Sequence, residues 1–470
     1  MPGQRKLFVL ALVMLALEAG AAVAEAYPLA YLIDFLQGRR PAITWFGATR
    51  NHTVLALSLV IVGIGALNSA CDSVAEILLA RAGRLLGFNV RTALFGRLQR
   101  LSLAFHDRRR TGDVVARVTG DVDTLEDFII KSSSDIAGSV LVLVFTLAFL
   151  GSRSWAMLLA AATIVPLVSV VSHHFSTRIR VTSKRMRSFD GEVASSTQEM
   201  LSSIRVIQTY GRAGYEQGRF EEHSTARVAA AMRTAVLQAE FSFVVKVLEA
   251  LVVCAVVWLG LALIDHATIT VGLLVMFVLL IQNMFKPTRR IIQEWGTIGK
   301  VLASSERIGE LLDRRPTVTE RVGAFAVSAV RGDVRFEAVS FSYEADGAGA
   351  AEPVRVALQD VSIHVPAGQV LALIGHTGAG KSTILQLLPR LYDATEGAVL
   401  IDDHDVRDLT LDSLRANISV VLQETILFSG TVAENIAYGR MDATQREIET
   451  AAQLANAHEF IEQQIGRAHV

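Results

Sequence analysis

Residues 375–383 read Gly-His-Thr-Gly-Ala-Gly-Lys-Ser-Thr, and this stretch decides how the second half of the chain is interpreted. The apolar run Val370–Ile374 before it predicts a buried strand, and the apolar spacing of residues 384–388 after it predicts a helix. The pattern GxxxxGK[ST] between a strand and a helix is typical of a phosphate-binding loop. A glycine-rich turn without a ligand is the alternative interpretation.

The chemistry of phosphate binding explains each residue type in this loop. Glycines let consecutive backbone N–H groups turn towards a phosphate, and the N-terminus of the following helix adds positive potential. Lys381 is expected to bridge the β- and γ-phosphates of a nucleotide, and Ser382 is expected to ligate Mg²⁺. The predicted nucleotide-binding residues of the loop are Gly375, His376, Thr377, Gly378, Ala379, Gly380, Lys381, Ser382 and Thr383.

The composition of the whole chain favours a membrane protein. The chain has 470 residues, of which 51% are hydrophobic and 19% are charged, and its net charge is -1. An ordinary soluble chain is about a quarter charged. These values argue against disordered, collagen-like and disulfide-rich secreted proteins. Two cysteines, Cys71 and Cys254, lie inside apolar runs and predict small buried side chains, not a disulfide or a metal cluster.

The charge is distributed unevenly along the chain. Residues 331–470 contain 10 Lys and Arg against 20 Asp and Glu, whereas residues 1–330 contain 35 against 26. Nearly all long apolar runs lie in the first part. The sequence therefore predicts two domains in two solvents, and it offers no overall basic surface for nucleic acid.

Six apolar stretches are long enough to cross a hydrocarbon core of about 30 Å. The first stretch could also be a cleavable signal peptide, because Arg5 and Lys6 precede it and the small residues of Ala22–Ala26 lie within it. We predict a membrane helix there, because the apolar character continues to Leu36. The predicted spans are residues 7–33, 53–80, 128–150, 155–177, 242–264 and 268–286.

Loop charge predicts the orientation of these spans. The connections between the second and third spans and between the fourth and fifth are rich in arginine, whereas the opposite connections contain few basic residues. The positive-inside rule therefore places both long connections and the N-terminus in the cytoplasm. The connections themselves predict helices that continue past the bilayer, with breaks at Gly112, Gly120, Gly211 and Gly214.

With these features the chain resembles the ATP-binding-cassette (ABC) exporters of the half-transporter type, over about residues 1–464. Residues 339–343 are similar to the family segment whose aromatic side chain stacks on adenine, so the resemblance makes Tyr343 the candidate; a core tyrosine is the alternative. Residues 420–424 and 427–436 are similar to the Q-loop region. The resemblance implies that Gln423 meets Mg²⁺ and the attacking water; a solvated glutamine is the alternative.

The membrane half carries the same resemblance. Residues 105–123 and 204–212 are similar to the first and second intracellular loops of these exporters. In the family, short coupling helices at these turns dock on the nucleotide-binding domains. The arginine-rich intracellular loops carry positive charge and the nucleotide-binding part carries negative charge, which fits such a contact. For any single arginine, the alternative is that it lies on a charged face in contact with water.

The resemblance also identifies motifs that the chain lacks. The LSGGQ signature, the catalytic Glu of the second acidic strand and the switch His do not occur in the 470 residues, so no catalytic residue is assigned. Residues 465–470 do not continue the family pattern and read like a translated sequencing adapter. We therefore expect a gene record truncated at its 3′ end, whose product holds ATP loosely, hydrolyses it poorly and folds incompletely after residue 331.

The predicted fold class is a multidomain membrane protein: a six-helix α transmembrane domain with long intracellular helical loops, followed by a partial α/β P-loop nucleotide-binding domain. The predicted boundaries are residues 1–302 for the membrane domain, 303–330 for a linker, 331–464 for the nucleotide-binding part and 465–470 for a non-native tail.

The resemblance implies an ATP-driven exporter that uses ATP and Mg²⁺. Its expected cargo is a lipid or an amphipathic, drug-like molecule, its mechanism is alternating access, and its location is the bacterial inner membrane with the nucleotide-binding domain in the cytoplasm. It is expected to act as a homodimer or as a heterodimer with a second half-transporter. The alternatives are a degenerate regulatory half of a heterodimeric transporter and a membrane-anchored P-loop kinase.

Overall fold

The computed structural model describes residues 2–43, 49–109, 111–266, 268–343, 355–421 and 426–463. The chain divides into two compact units, Met1–Pro316 and Thr317–Val470. The first unit is helical and the second contains a small sheet.

The first unit contains six candidate membrane spans among its described residues, as the sequence predicts. They are built from α1 (Pro2–Ala24) with α2 (Ala26–Leu36), α3 (Arg50–Arg100), α5 (Thr111–Ala116) through α6 (Val122–Asp127) to α7 (Ser133–Arg153), α8 (Trp155–Ala162) with α9 (Ile164–Ser202), α11 (Ala213–Asp265) and α12 (Val271–Asp313). Two short helices, α4 (Leu103–Arg108) and α10 (Ile204–Thr209), join α3 to α5 and α9 to α11.

Several of these helices are much longer than a bilayer requires. Helix α3 has 51 residues and α11 has 53, whereas about 20 residues cross the hydrocarbon core. At 1.5 Å per residue, each helix is about 75–80 Å long. The prediction that membrane helices continue well past the bilayer is therefore confirmed.

The predicted glycine breaks in these extensions are only partly right. Gly211 has a φ of 64° and ends the short turn after α10, so it does interrupt the helices. Gly120 does not, because it lies in a π-helical segment, Arg117–Asp121, that continues directly into α6. A π turn keeps the backbone hydrogen-bonded while it shifts the helix register. The helix therefore continues through Gly120, and the chain does not turn there.

A buried carboxylate in this segment joins the third and sixth membrane helices. Asp121 is 8% exposed, and its Oδ2 accepts a hydrogen bond of 2.9 Å from Nε of Arg307 on α12. Its Oδ1 accepts a second bond of 3.0 Å from Ser304. A buried carboxylate is tolerated only when it is paired and hydrogen-bonded, so this contact fixes the two extensions against each other.

A second buried carboxylate lies at the opposite end of α12. Asp34, which is 3% exposed, accepts hydrogen bonds of 2.7 Å from the Thr270 hydroxyl and 2.9 Å from the Gly272 backbone N–H. These donors belong to the first turn of α12, where backbone N–H groups have no partner within the helix. The acid therefore ties the end of α2 to the start of α12.

The main apolar core of the membrane unit lies among its later helices. Leu150, Met157, Ile164, Phe277 and Ile281 are each fully buried in one cluster that joins α7, α8, α9 and α12. The two cysteines differ from the prediction: Cys71 is buried, but Cys254 is exposed on the surface of α11. An apolar helix in lipid has no need to bury every small apolar side chain, which explains the difference.

The second unit is built on a four-stranded antiparallel sheet with the strand order β2–β1–β3–β4. The strands are β1 (Val334–Tyr343), β2 (Arg355–Val365), β3 (Glu396–Ile401) and β4 (His404–Asp405). The apolar residues of 334–343 alternate in two registers, first at 334, 336 and 338 and then at 339, 341 and 343. The structure has one strand, in which Ala338 has a φ of 47° and the pairing register shifts, as in a β-bulge.

The helices of the second unit are short, as far as its described residues show. They are α13 (Lys381–Leu387), α14 (Leu411–Ala416), α15 (Val432–Ile436), α16 (Gln445–Leu454) and α17 (His458–Gln463). Leu387, Leu409 and Leu414 are at most 1% exposed and belong to the core of this unit.

The predicted buried strand at Val370–Ile374 is wrong for this structure. These residues form no strand, and Val370 and Ile374 are 98% and 95% exposed. A strand needs a neighbour with which its backbone groups can pair. No segment among the described residues pairs with 370–374, so the apolar run enters the phosphate-binding loop without regular secondary structure.

Candidate nucleotide-binding site

The glycines of the loop at 375–383 adopt the backbone geometry that the motif predicts. Gly378 and Gly380 have φ values of 87° and 83°, a region that glycine enters without a steric penalty. Residues 375–379 are exposed. The loop therefore presents its backbone to solvent, at the start of α13.

Gly380 is required for a second reason, which is its close approach to β2. A Cβ atom at this position would lie 2.7 Å from the carbonyl oxygen of Ala357 and 2.7 Å from a methyl group of Leu358. No side chain fits there without moving the strand. The conformation and the contact together fix glycine at the position before Lys381.

Lys381 lies over its own loop. Its Nζ donates hydrogen bonds of 2.7 Å to the carbonyl oxygen of Gly375 and 2.8 Å to that of His376. The ammonium group is thus held at the mouth of the exposed loop, where a phosphate would be placed by the motif. The arrangement of an accessible glycine-rich backbone with a cation across it fits a nucleotide phosphate.

The first turn of α13 separates the next two predicted residues. Ser382 is exposed, which suits a hydroxyl group that ligates Mg²⁺, whereas Thr383 is only 5% exposed. Thr383 contacts Tyr343 instead of solvent: the two hydroxyl oxygens lie 3.1 Å apart. The sequence interpretation placed both residues at the nucleotide, but the structure gives Thr383 a contact inside the domain.

Tyr343 lies at the end of β1, beside the phosphate-binding helix. Its hydroxyl also donates to Oε1 of Gln386 at 3.2 Å, and its ring contacts Phe341 and Tyr392 edge-on at 4.8 and 5.5 Å. The structure thus brings Tyr343 next to the loop, as the resemblance implies. It also gives this half-buried tyrosine the contacts of a core residue, so both interpretations of its role stay open.

Gln423 lies outside the described residues. The segment that follows it is held by local hydrogen bonds: Asn435 accepts from the Phe428 N–H at 2.8 Å and donates to its carbonyl at 2.9 Å. Thr431 and Glu434 form a capping box at the start of α15. These contacts give Thr431, Glu434 and Asn435 a structural role in the turn at 427–436.

Sequence reasoning missed three residues of this unit. Gln386 holds Tyr343, and its helical spacing from Thr383 gives the only signal. Arg390 is 2% exposed and donates to Asp393 at 2.7 Å and to the Thr319 carbonyl at 2.8 Å; nothing in the sequence marks it as buried. Asp402 accepts from three consecutive backbone N–H groups, those of residues 331–333.

The two predicted intracellular loops form short helices at the far ends of the long ones. In the first, Phe105 is 4% exposed, and a ring nitrogen of His106 lies 3.1 Å from the Leu98 carbonyl oxygen. In the second, Val206 and Tyr210 are 56% and 74% exposed. The helical turns are present as expected, and their docking role stays a prediction.

Comparisons with known proteins agree with this architecture. The profile of the ABC transporter transmembrane region matches residues 8–288, and the ABC transporter profile matches residues 358–469. The first match begins inside the segment that had a signal peptide as its alternative interpretation. It therefore supports the membrane-helix prediction for that segment.

Curated relatives extend over most of the chain. An ATP-dependent lipid A-core flippase of Chromohalobacter salexigens is 32% identical over 457 residues, which are 97% of this chain and 76% of that protein. A putative multidrug export ATP-binding/permease protein of Bacillus subtilis is 34% identical over 374 residues, which are 80% of this chain and 63% of that protein. With six membrane helices and a phosphate-binding loop in one polypeptide, the chain belongs to the ABC exporters of the half-transporter type, which carry out ATP-driven export.

Proposed function

We propose that this half-transporter exports a lipid or an amphipathic, drug-like molecule. The observation that carries the proposal is the position of Lys381 across the exposed loop 375–380, in a chain with six membrane helices. ATP binding at this loop would supply the energy for alternating access of the membrane helices. The names of the relatives, a lipid A-core flippase and a putative multidrug exporter, support both cargo classes.

The residues proposed to hold ATP and Mg²⁺ divide into three groups. The backbone of residues 375–380 and the Lys381 ammonium group would bind the phosphates. The exposed Ser382 hydroxyl and Gln423 would hold Mg²⁺, which neutralises phosphate charge. Tyr343 would contribute its ring to the adenine.

The orientation and location are also proposals. The arginine-rich ends of α9 and α11 that adjoin α10 support a cytoplasmic position for the long connections and the nucleotide-binding unit. The bacterial sources of the relatives support the inner membrane. ABC half-transporters generally act as dimers, and we propose either a homodimer or a heterodimer with a second half.

Transport in proteoliposomes tests the proposal. The gene product taken to its stop codon is reconstituted, and a fluorescent phospholipid and a fluorescent cationic drug are offered with Mg-ATP on the side of the nucleotide-binding unit. We expect ATP-dependent movement of one of these cargoes to the opposite side, and none in the Lys381→Ala variant. Lys184→Ala, at an exposed lysine of α9, is the matched control and should transport normally. ATP-independent movement, or transport by Lys381→Ala, would contradict the proposal.

A further inference from the structure

A cavity of about 300 Å³ lies at the end of the membrane unit where α2, α7 and α11 end and α12 begins. Its volume is at the lower end of the range of small-molecule sites and corresponds to a space about 8 Å across. Three of its described lining side chains are arginines. They are Arg39 and Arg40, just after α2, and Arg153, the last residue of α7.

These arginines are unusual for their side of the membrane. With the proposed orientation, this end of the unit is the outer end, where the connections between membrane helices carry few basic residues. The outer connections, together with the first residue of α3, contain four arginines and no lysine. Arg50 does not line the cavity, and the other three do. The positive charge of the outer side is therefore concentrated at one place.

Local structure fixes the two arginines that follow α2. The N–H of Arg39 donates to the Asp34 carbonyl oxygen at 2.9 Å, and the N–H of Gly38 donates to the Phe35 carbonyl oxygen at 3.0 Å. Gly38 has a φ of 74°. These two bonds and a left-handed glycine form a Schellman motif, which ends a helix with a defined backbone geometry. The segment that carries Arg39 and Arg40 is thus ordered before any ligand binds.

Two of the guanidinium groups lie against aromatic rings. The Cζ of Arg40 lies 5.4 Å from the centroid of the Tyr31 ring on α2, and that of Arg153 lies 5.8 Å from the centroid of the Phe149 ring on α7. Ser154 is the one residue between α7 and α8, so the backbone at Arg153 is also held. A cation–π contact uses the face of the guanidinium group, and the N–H donors at its edge stay available to a ligand.

The charge around the cavity is unbalanced. Asp34 is the one acidic residue among the described lining residues, and both of its oxygens already accept hydrogen bonds from the first turn of α12. In the part of the chain that the structure describes, no ion pair joins Arg39, Arg40 or Arg153 to a carboxylate. Three cations and one carboxylate leave an excess of positive charge, and an anion placed among them would relieve their repulsion.

This arrangement suits a phosphate group. Arginine binds phosphate through paired, parallel hydrogen bonds, and its own charge does not titrate. A phosphate group carries about one to two negative charges at pH 7, which balances the excess of positive charge. A cavity about 8 Å across holds one such group with a small substituent, but no large soluble ligand.

We propose that this cavity binds a phosphate group at the outer face of the membrane unit and that the bound group bridges the end of α2 to the end of α7. Free phosphate and the headgroup of an outer-leaflet phospholipid both present this chemistry. The inference rests on the proposed function for the orientation of the unit. Binding here needs neither nucleotide nor transport, so a failure of the transport test leaves the binding result intact, and the reverse is also true.

Thermal unfolding in a neutral detergent tests free phosphate as the source. The gene product taken to its stop codon is used with Lys381→Ala throughout, because the loop at 375–383 is itself expected to bind phosphate. Inorganic phosphate should raise the unfolding midpoint above that in sodium chloride of equal ionic strength. Arg39→Gln and Arg153→Gln should each weaken the apparent affinity about tenfold, the loss expected for one hydrogen bond to a charged group.

Native mass spectrometry of the same proteins tests a phospholipid as the source. Phosphatidylglycerol is compared with diacylglycerol of the same acyl chains, which has no phosphate. We expect phosphatidylglycerol to bind more tightly, and Arg39→Gln and Arg153→Gln to weaken its binding about tenfold. An effect of the two substitutions on the lipid alone would identify the headgroup as the ligand, whereas an effect on inorganic phosphate would identify a site open to the free anion. Either result supports the proposal.

Arg50→Gln is the matched control. It removes an exposed arginine from the same side of the unit that does not line the cavity, and it should leave both affinities unchanged. An equal loss in Arg50→Gln, or unchanged binding of both ligands in Arg39→Gln and Arg153→Gln, would overturn the proposal. Without ligand, an unfolding midpoint equal to that of the Lys381→Ala protein shows that a variant has folded.

Discussion

The hydroxyl group of Tyr343 lies 3.1 Å from that of Thr383, which connects the end of strand β1 to the helix that follows the phosphate-binding loop. The contact places an aromatic ring beside the loop, but it also buries that ring against Phe341 and Tyr392. Two roles therefore compete for one residue. Stacking on adenine needs only the ring, whereas the core contact uses the hydroxyl group as well.

Substitution of Tyr343 separates these roles. Tyr343→Phe keeps the ring and should keep ATP affinity within about threefold, whereas Tyr343→Leu should weaken it about tenfold, since stacking of a base on an aromatic side chain contributes about 1–3 kcal/mol. The dissociation constant of a fluorescent ATP analogue measures both. Equal affinities of the Phe and Leu variants would assign Tyr343 to the core alone.

Gly272 offers a test of the packing at the start of α12. A Cβ atom there would lie 2.1 Å from the Ala30 carbonyl oxygen and 2.7 Å from the Asp34 carboxylate. Gly272→Ala should therefore destabilise the membrane unit by about 1–3 kcal/mol through overpacking. Gly299 lies on the same helix with nothing within 4 Å of its Cβ position, so Gly299→Ala should raise stability by about 0.5–1 kcal/mol.

Thermal unfolding in detergent, followed by tryptophan fluorescence, compares the two alanine variants. The midpoint should fall in Gly272→Ala and stay level or rise in Gly299→Ala. A fall of the same size in both would show that the close contact of α12 with α2 does not determine the stability.

Asp402 should make the free energy of unfolding of the second unit depend on pH. Burial raises the pKa of this carboxyl group, but hydrogen bonds from the backbone N–H groups of Arg331, Asp333 and Gly332 lower it more, so its pKa lies below the ordinary value of 3.8. A lowered pKa adds stability that is fully present above the ordinary pKa and is lost as the pH falls through the lowered one.

Asp402→Asn keeps the shape of the side chain and suits the φ of 49° at this position. It should destabilise the unit at pH 7 by about 1–2 kcal/mol, because the amide nitrogen that replaces Oδ2 cannot accept from the Arg331 N–H and the two bonds to Oδ1 lose their charged acceptor. The difference from the wild type should shrink as the pH falls below about 4. Denaturant unfolding at several pH values measures this. Asp442→Asn, at an exposed acid, is the control, and a difference that is independent of pH would contradict the account.

The sequence predicts this architecture where local chemistry decides it. Apolar runs long enough for a bilayer predict the six spans, since no other environment tolerates them. The glycines and lysine of 375–383 predict an exposed loop with a cation across it, because the φ values and the close approach at Gly380 admit no other residue type. These features depend on neighbours in sequence.

Features that depend on distant neighbours could not be predicted. Val370–Ile374 has the composition of a strand, but whether it pairs depends on a segment elsewhere, and no described segment lies beside it. Gly120 is a residue type that often ends a helix, but here the helix continues through a π-helical turn, and the next residue, Asp121, is bonded to Arg307 of α12. Arg390 looks like a surface arginine until Thr319 and Asp393 are brought to it by the fold.

Mg-ATP hydrolysis shows most directly whether the loop at 375–383 binds a nucleotide and uses it. It is measured on the gene product, taken to its stop codon and held in lipid nanodiscs, alone and with a second half-transporter if a neighbouring gene encodes one. The Nζ of Lys381 lies 2.7 Å from the Gly375 carbonyl oxygen, so Lys381→Ala removes the cation from the phosphate-binding loop. We expect hydrolysis that requires Mg²⁺, falls to background in Lys381→Ala and is unchanged in Lys184→Ala. Hydrolysis that persists in Lys381→Ala would show that this loop is not the ATP site, and its absence from the wild type, both alone and with the second half, would rule out ATP-driven export by this protein.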